Sequence, residues 1–217
     1  MAVSFKRFRV GIAGFSALML AACSGSVTEG VMSSYADYSA AVAAGRGYDA
    51  AQFVTEDTIT QFDRLRLIAL YGEDGGARLG IYDEVAVYYL RSEFDASHLQ
   101  RLTGRDVMNI LVTADLIGER GFRGYEVGTI TEESSSSAVL ALRDSESGAS
   151  YTLRFVKENG DWVADWRSFR TQRDRRLENR IEEFNGDRRS VISELLIVHG
   201  AQDGLTRELS QPLIPQN

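Results

Sequence analysis

The sequence predicts an α+β fold, with helices first and a four-stranded antiparallel meander after them. In the first half of the chain, apolar residues recur at the three- and four-residue spacing of a helical face. Between residues 125 and 169 apolar and polar residues alternate, and clusters of turn-forming residues separate the alternating runs. Helices followed by a meander of strands make an α+β domain.

Helical segments precede the predicted sheet. They are expected at 31–44, 49–54, 56–70 and 82–94, and after Thr103. The segment 82–94 also has strand composition, but its helical neighbours favour a helix. Gly45 and Gly47 end the first helix, and glycines at 118 and 121 end the last one.

Two polar motifs predict where helical turns begin. Asp95 can cap a turn that runs through Leu102. Thr103 and Asp106 have the spacing of a capping box, in which each side chain bonds the backbone N–H of the other residue. The helix that follows carries a clear apolar stripe.

Four strands are predicted at 125–131, 138–143, 150–157 and 161–169. Asn159-Gly160 separates the last two, and this dipeptide between alternating strands is the strongest short-range signal of a hairpin. With these two residues as the loop, the expected cross-strand pairs are Leu153 with Trp166, Phe155 with Ala164, and Arg154 with Asp165. The last pair is expected to be a structural ion pair on the face away from the core.

One face of the predicted hairpin is apolar and is expected to face the core. Its side chains are those of Tyr151, Leu153, Phe155, Trp162 and Trp166, which are also the candidates for lining an internal pocket. After the sheet, a charged helix is expected at 170–184. A final helix is capped by Asp187 and runs to Val198, and a flexible tail follows from residue 200.

The order of elements, together with the ending Lys157-Glu-Asn-Gly-Asp-Trp-Val-Ala-Asp-Trp166, resembles the cone-shaped fold of nuclear transport factor two and ketosteroid isomerase. The resemblance covers about residues 31–169 and implies a cone-like domain with an internal pocket. The helical stretch from Gly72 to Gly121 is longer than that pattern expects. The predicted organisation is a signal at 1–22, a tether at 23–30, the cone-like domain at 31–169, C-terminal helices at 170–199 and the tail at 200–217.

The N-terminus has the features of a secretory signal. Residues 1–22 contain three basic residues, no acidic residue and an apolar stretch too short to span a bilayer. Leu20-Ala21-Ala22-Cys23 resembles a bacterial lipobox, which implies cleavage before Cys23 and acylation of that cysteine. Two or more acyl chains give stable membrane attachment. By the same resemblance, Ser24 after the cysteine implies the outer membrane, facing the periplasm; the alternative is an ordinary secretory signal.

The composition of the chain limits the classes of molecule that it can bind. The signal holds three of the 24 basic residues and none of the 31 acidic ones, so the remaining 195 residues carry a formal charge of −10. An acidic surface argues against nucleic-acid binding. Cys23 is the only cysteine, so the fold must hold without disulfides. No cofactor and no metal are expected, because phosphate-loop, hydrolase-elbow and Cys/His zinc patterns are absent from the sequence.

Residues that could do chemistry each have a simpler interpretation. His98 and His199 are expected at the surface or at a helix end. Asp144 and Glu146 lie in a turn whose spacing departs from a calcium loop. Tyr71, Tyr82, Tyr88 and Tyr89 could line a pocket, but such tyrosines more often belong to the core.

Residues 165–180 hold six arginines against three acidic residues. Arg170, Arg173 and Arg176 are therefore candidates for contact with an anionic surface. The alternative, which we favour, is a solvated helix balanced by acidic residues elsewhere in the fold.

These observations predict a lipid-anchored envelope protein that binds or scaffolds and catalyses nothing. Its partner would be the membrane through the anchor, with an envelope protein or a small apolar ligand. A small isomerase or dehydratase in the same cone is the alternative; it requires a buried, unpaired carboxylate or histidine facing the pocket near a tyrosine. A third possibility, a subunit of an envelope assembly, would show an exposed apolar patch on the last helix or the tail.

Overall fold

In the described part of the chain, helices pack with one four-stranded antiparallel sheet. The computed structural model of the protein describes residues 26–72, 78–117, 124–183 and 186–215. The helices are α1 (Val27–Ala43), α2 (Gly47–Ala50), α3 (Glu56–Tyr71), α4 (Ile81–Glu93), α5 (Ala96–Leu99), α6 (Gly104–Thr113), α7 (Trp166–Glu183) and α8 (Arg188–Val198). The strands are β1 (Tyr125–Ser134), β2 (Ser137–Asp144), β3 (Ser150–Glu158) and β4 (Asp161–Asp165). The predicted α+β class is confirmed.

Helix α1 begins four residues earlier than predicted. Ser26 is its N-cap: the Ser26 hydroxyl accepts from the Glu29 N–H at 3.2 Å, and the Ser26 N–H donates to the Glu29 carboxylate at 2.9 Å. This capping box satisfies two backbone donors that a helix start leaves open. The boundary that we predicted at residue 31 was therefore wrong, because residues 27–30 belong to the helix.

Some of the remaining helix predictions are confirmed, and others are wrong at their ends. The ambiguous segment after residue 80 is helical, as α4, and both Asp95 and the Thr103–Asp106 capping box act as predicted. The short helix expected at 49–54 begins and ends earlier, at Gly47–Ala50, as α2. Helix α6 ends at Thr113, and the glycines at 118 and 121 lie outside the described residues.

The sheet has the order β1-β2-β3-β4, with each neighbouring pair antiparallel. The register predicted for the last hairpin is confirmed at two pairs, Phe155 with Ala164 and Arg154 with Asp165. Asn159 has φ +54° and Gly160 has φ +99°, the left-handed conformations that an Asn-Gly loop supplies readily. All five side chains of the predicted apolar face are buried.

Strand β4 ends at Asp165, so the strand predicted to reach Phe169 and the pairing of Leu153 with Trp166 were wrong. The Trp166 N–H donates to the Thr58 hydroxyl at 3.2 Å instead of to a strand, and Trp166 is the first residue of α7. The Thr152 backbone of β3, which is in register with Ala141 of β2, then has no strand partner on its β4 side. The Gln172 amide of α7 bonds both the Thr152 N–H, at 3.0 Å, and its carbonyl, at 2.9 Å.

The expected ion pair between Arg154 and Asp165 does not form, although the two residues are register partners. Arg154 instead pairs with Glu133 of β1. Asp165 pairs with Arg167 at 2.9 Å and also accepts the Arg167 backbone N–H. The first turn of α7 brings Arg167 closer to this carboxylate than a cross-strand arginine.

The main core lies between the inner face of the sheet and helices α1, α3 and α6. A smaller apolar cluster joins α4, α7 and α8. Trp166 lies in the main core, with its ring centroid 4.9 Å from those of Tyr38 and Phe169.

The segment after Gly200, predicted to be a flexible tail, makes contacts that we did not anticipate. The N–H groups of Leu213 and Ile214 donate to the Ala69 and Leu70 carbonyls at the end of α3. The buried Arg91 guanidinium donates to the carbonyls of Ile68, Ala69 and Leu209, which ties the tail to the same helix end.

Replacing Trp166 by alanine should lower the free energy of unfolding by about 3–5 kcal/mol, because it empties a buried aromatic site. Arg154→Ala is the control. Its ion pair with Glu133 is half-exposed, so the loss should stay below about 1 kcal/mol. Urea denaturation of both variants measures this, and losses of similar size would contradict the burial of Trp166.

Candidate functional site

The predicted internal pocket is occupied by packed side chains. Leu153 and Phe155 have no exposed surface, and Trp162 is 8% exposed. Trp166 borders a cavity of only about 20 Å³, which is space for about one water molecule. Of the five residues that we predicted as a pocket lining, Tyr151 borders a large cavity, and that cavity is a groove at the surface.

This groove, of about 840 Å³, lies between α7 and the turn that joins β2 to β3. We name it the arginine–tyrosine groove after six residues that line it: Tyr82, Tyr125, Tyr151, Arg173, Arg176 and Arg180. Three acidic residues, Asp144, Glu146 and Glu183, also line it. The formal charges of its arginines and acids therefore balance.

The aromatic side of the groove is built by the sheet. Tyr125 starts β1 and Tyr151 lies near the start of β3, with ring centroids 5.8 Å apart. Both rings also contact Phe169 of α7, at 5.8 and 5.4 Å. The three rings pack the first turn of α7 against the end of the sheet.

The arginines of the groove lie at positions 173, 176 and 180, which is the spacing of one helical face. Arg173 donates to the Tyr82 hydroxyl at 2.8 Å and lies over the Tyr82 ring at 4.3 Å. Arg176 is exposed, 6.0 Å from the centre of the Tyr151 ring. Among the described residues, neither Arg176 nor Arg180 has an acidic partner within ion-pair distance.

Asp144 stays ionised at the rim of the groove. Its burial would raise the pKa, but the backbone N–H groups of Ser147 and Glu146, each at 2.9 Å, and the nearby Arg176 together lower the pKa below its usual value. A carboxylate with a lowered pKa is a poor proton acceptor near neutral pH.

Two tyrosines of the groove, Tyr125 and Tyr151, are neutral. Burial raises the pKa of both Tyr125 and Tyr151, so their hydroxyls keep the proton and can donate hydrogen bonds. The lining therefore offers guanidinium and hydroxyl donors beside fixed carboxylate acceptors. This arrangement suits the binding of a polar ligand.

Arg170, one of the three candidates for contact with an anionic surface, is instead paired inside the fold. It pairs with Asp83 of α4, and the two side chains are only 15% and 14% exposed. Its guanidinium also lies 5.6 Å from the centre of the Phe62 ring. Of the three candidate arginines, Arg173 and Arg176 line the groove and Arg170 does not.

Asp174 of α7 caps α4 from outside that helix. The N-cap of α4 is Gly80, which has no side chain to contribute, and the Asp174 carboxylate accepts the Tyr82 N–H at 2.9 Å. A Cβ at position 80 would lie 2.1 Å from a carboxylate oxygen of Asp174, so only glycine leaves room for this contact. Burial raises the pKa of Asp174, while the Tyr82 N–H and Arg170 oppose that shift.

The two histidines differ in position. His98 packs edge-on against Phe94 at 5.0 Å. His199 is the C-cap of α8, as predicted, with Nδ1 3.1 Å from the Ala114 carbonyl. His199 also borders a second groove of about 640 Å³, which shares Tyr82, Tyr125 and Asp144 with the first.

Cys23 and Phe184 lie outside the described residues. In the parts of the chain that the structure describes, no cluster of three or more His, Cys, Asp or Glu side chains could hold a metal. Over the same ranges, none of the helices combines the length and the apolar character needed to cross a membrane.

Comparison of the chain with protein-family models, with curated proteins and with solved structures finds no match. The candidate site therefore depends on the geometry of this chain alone. The sequence signal that could have located it is the spacing of Arg173, Arg176 and Arg180, which we treated as part of a charge run rather than as one face of a helix.

Asp174 generates a prediction for the pH dependence of stability. Because its folded-state pKa is raised above 3.8, its contribution to stability is fully present below the unfolded pKa. That contribution is lost as the pH rises through the folded pKa. Asp174→Asn removes this titration and keeps an oxygen that can accept the Tyr82 N–H.

The free energy of unfolding of the wild type, relative to Asp174→Asn, should therefore fall as the pH rises from about 4 to about 7. Urea denaturation of both proteins across this range measures the difference. A difference that stays constant, or one that grows in favour of the wild type, would contradict the raised pKa.

Proposed function

We propose that the protein is a lipid-anchored component of a bacterial cell envelope, attached through Cys23, that binds a polar partner and catalyses no reaction. The lipobox-like sequence Leu20-Ala21-Ala22-Cys23 supports the anchor. The start of α1 at Val27 also supports it, because the folded domain then follows the cysteine closely and needs no thiol for its core. Ser24 favours the outer membrane, with the domain in the periplasm.

The arginine–tyrosine groove is the proposed binding site, and one observation carries this assignment. Arg176 and Arg180 have no acidic partner within ion-pair distance among the described residues, whereas Asp144 is already bonded by two backbone N–H groups. The guanidinium groups are therefore the groups most open to a new partner. A ligand that carries carboxylate or phosphate groups, beside hydroxyls or amides, fits this lining.

A non-catalytic role agrees with the electrostatics of the groove. A general base needs a pKa near the working pH, and the pKa of Asp144 is lowered while those of Tyr125 and Tyr151 are raised. The alternative of a cone-shaped isomerase or dehydratase requires a buried carboxylate that is free to act. Asp174 is buried, but its carboxylate caps α4.

The cone-like architecture remains part of the proposal. Helices followed by a four-stranded meander, whose last hairpin leads into α7, support it. The small apolar ligand that such a cone suggested is less favoured than a polar one, since Leu153 and Phe155 are fully covered and the cavity beside Trp166 is small.

A second candidate function is that of a subunit in an envelope assembly. It is favoured by the end of α8, where Ile197 is 52% and Val198 is 76% exposed. Large apolar side chains next to each other at the surface are typical of protein contacts. The two functions are compatible, because Val198 borders the second groove, and that groove shares Tyr82, Tyr125 and Asp144 with the arginine–tyrosine groove.

The anchor predicts a defined N-terminal chemistry. Mass spectrometry of the mature protein should find an acylated Cys23 at its N-terminus. Cys23→Ala should move the protein from the membrane fraction to the soluble or unprocessed fraction and leave the melting temperature of the domain unchanged. An unmodified Cys23, or cleavage at another position, would contradict the anchor.

The groove predicts a partner contact that depends on charge. A photo-crosslinking residue in place of Asn179, which lines the groove, should capture a partner in cells that one in place of the exposed Gln52 does not. Arg176→Glu combined with Arg180→Glu should abolish that product.

The matched control is Arg175→Glu combined with Arg101→Glu, which changes the charge equally at exposed positions outside this groove. Loss of the product in both double variants would indicate a general charge effect. If the crosslinked product still formed in both double variants, the groove would not be the binding site.

A further inference from the structure

Helix α1 runs beside β4 and in the same direction. Near the start of α1, Gly30 lies so close to Trp162 that a Cβ there would come within 2.4 Å of the indole ring. Eight residues later, the Tyr38 ring lies 4.9 Å from the ring of Trp166. Eight helical residues and four extended residues both span about 12–13 Å, so the two contacts are the same distance apart along α1 and along the strand.

The N-terminus of α1 therefore lies at the end of the sheet where β3 turns into β4. The β1–β2 turn is at this same end, because the Lys157 N–H donates to the Ser136 carbonyl. We call this end, formed by Ser26–Gly30, Ser135–Ser136 and Asn159–Gly160, the hairpin pole.

The arginine–tyrosine groove lies at the opposite end of the sheet. Asp144 ends β2, Tyr125 begins β1, and both line the groove. Strand β2 has eight residues, so its two ends are about 23 Å apart. The hairpin pole and the groove are thus separated by the length of the sheet.

The link from the anchor to the fold is short. Only Ser24 and Gly25 lie between Cys23 and Ser26, whose side chain and backbone are both fixed in the capping box of α1. Three residue steps reach at most about 11 Å. This is less than half the length of the sheet.

From these positions we infer that the hairpin pole faces the bilayer and that the arginine–tyrosine groove opens away from it. The inference rests on the proposed anchor at Cys23. The charge of −10 on the rest of the chain opposes lying flat on anionic lipid. The partner of the groove is then reached from the aqueous side and is not the headgroups of the anchoring membrane.

The test uses the full-length lipidated protein. Cys23 is the only cysteine, and its sulfur would carry the lipid, so an introduced cysteine is the only free thiol. Asp161→Cys and Ser150→Cys place a dye on exposed residues at opposite ends of the β3–β4 hairpin. The vesicles contain phosphatidylethanolamine, a minority of phosphatidylglycerol and a headgroup-linked energy acceptor.

The dye at position 161 should be quenched several-fold more strongly than the dye at position 150. If the protein floats with the vesicles but quenching is equal at both positions, or stronger at 150, the proposed orientation is wrong. The proposed anchor is not contradicted by that result. Protein that does not float would overturn the anchor and the orientation together.

A third variant tests the cause. A long Gly-Ser linker inserted between Ser24 and Gly25 should bring the two quenching values closer together, because the domain can then turn about its attachment. If the difference persisted unchanged, the short link would not be what orients the domain.

Discussion

The exit of the chain from β4 sets the arrangement of the whole domain. Ala164 is paired on its outer side by the segment before α3: its N–H donates to the Phe53 carbonyl, and its carbonyl accepts from the Thr55 N–H. At the next-but-one residue, Trp166, the backbone N–H goes to the Thr58 hydroxyl. The N-terminus of α3 thus occupies the edge where β4 would continue, and the chain must turn into α7. An exposed sheet edge is covered by the same contacts.

The direction of α7 follows from that turn. Gln172 replaces the missing strand by bonding the free backbone of Thr152, which aligns the helix with β3. Further along, Asp174 caps α4 and Arg170 pairs with Asp83 of the same helix. Two sides of α7 are therefore used, one at Gln172 to join the sheet and one at Arg170 and Asp174 to join α4. The face that carries Arg176 and Arg180 is left for the groove.

Local chemistry in the sequence was sufficient to predict the hairpin register as far as Arg154 and Asp165, and the caps of α5 and α6. Asn159-Gly160 needs only its own backbone preferences, and the Thr103–Asp106 box needs only residues three positions apart. The end of β4 was not predictable in this way, because it depends on Thr58, which is more than a hundred residues away. The groove was missed for the same reason: its tyrosines come from α4, β1 and β3, and only the fold brings them to the arginines.

The buried guanidinium of Arg91 has a consequence for the order of events in folding. It is bonded to carbonyls of α3 and to Leu209, and Leu213 and Ile214 bond the end of α3 as well. A nascent chain that stops short of these residues leaves Arg91 without its Leu209 acceptor and the Leu70 carbonyl without the Ile214 N–H. The end of α3 is therefore completed only when the last residues of the chain are in place.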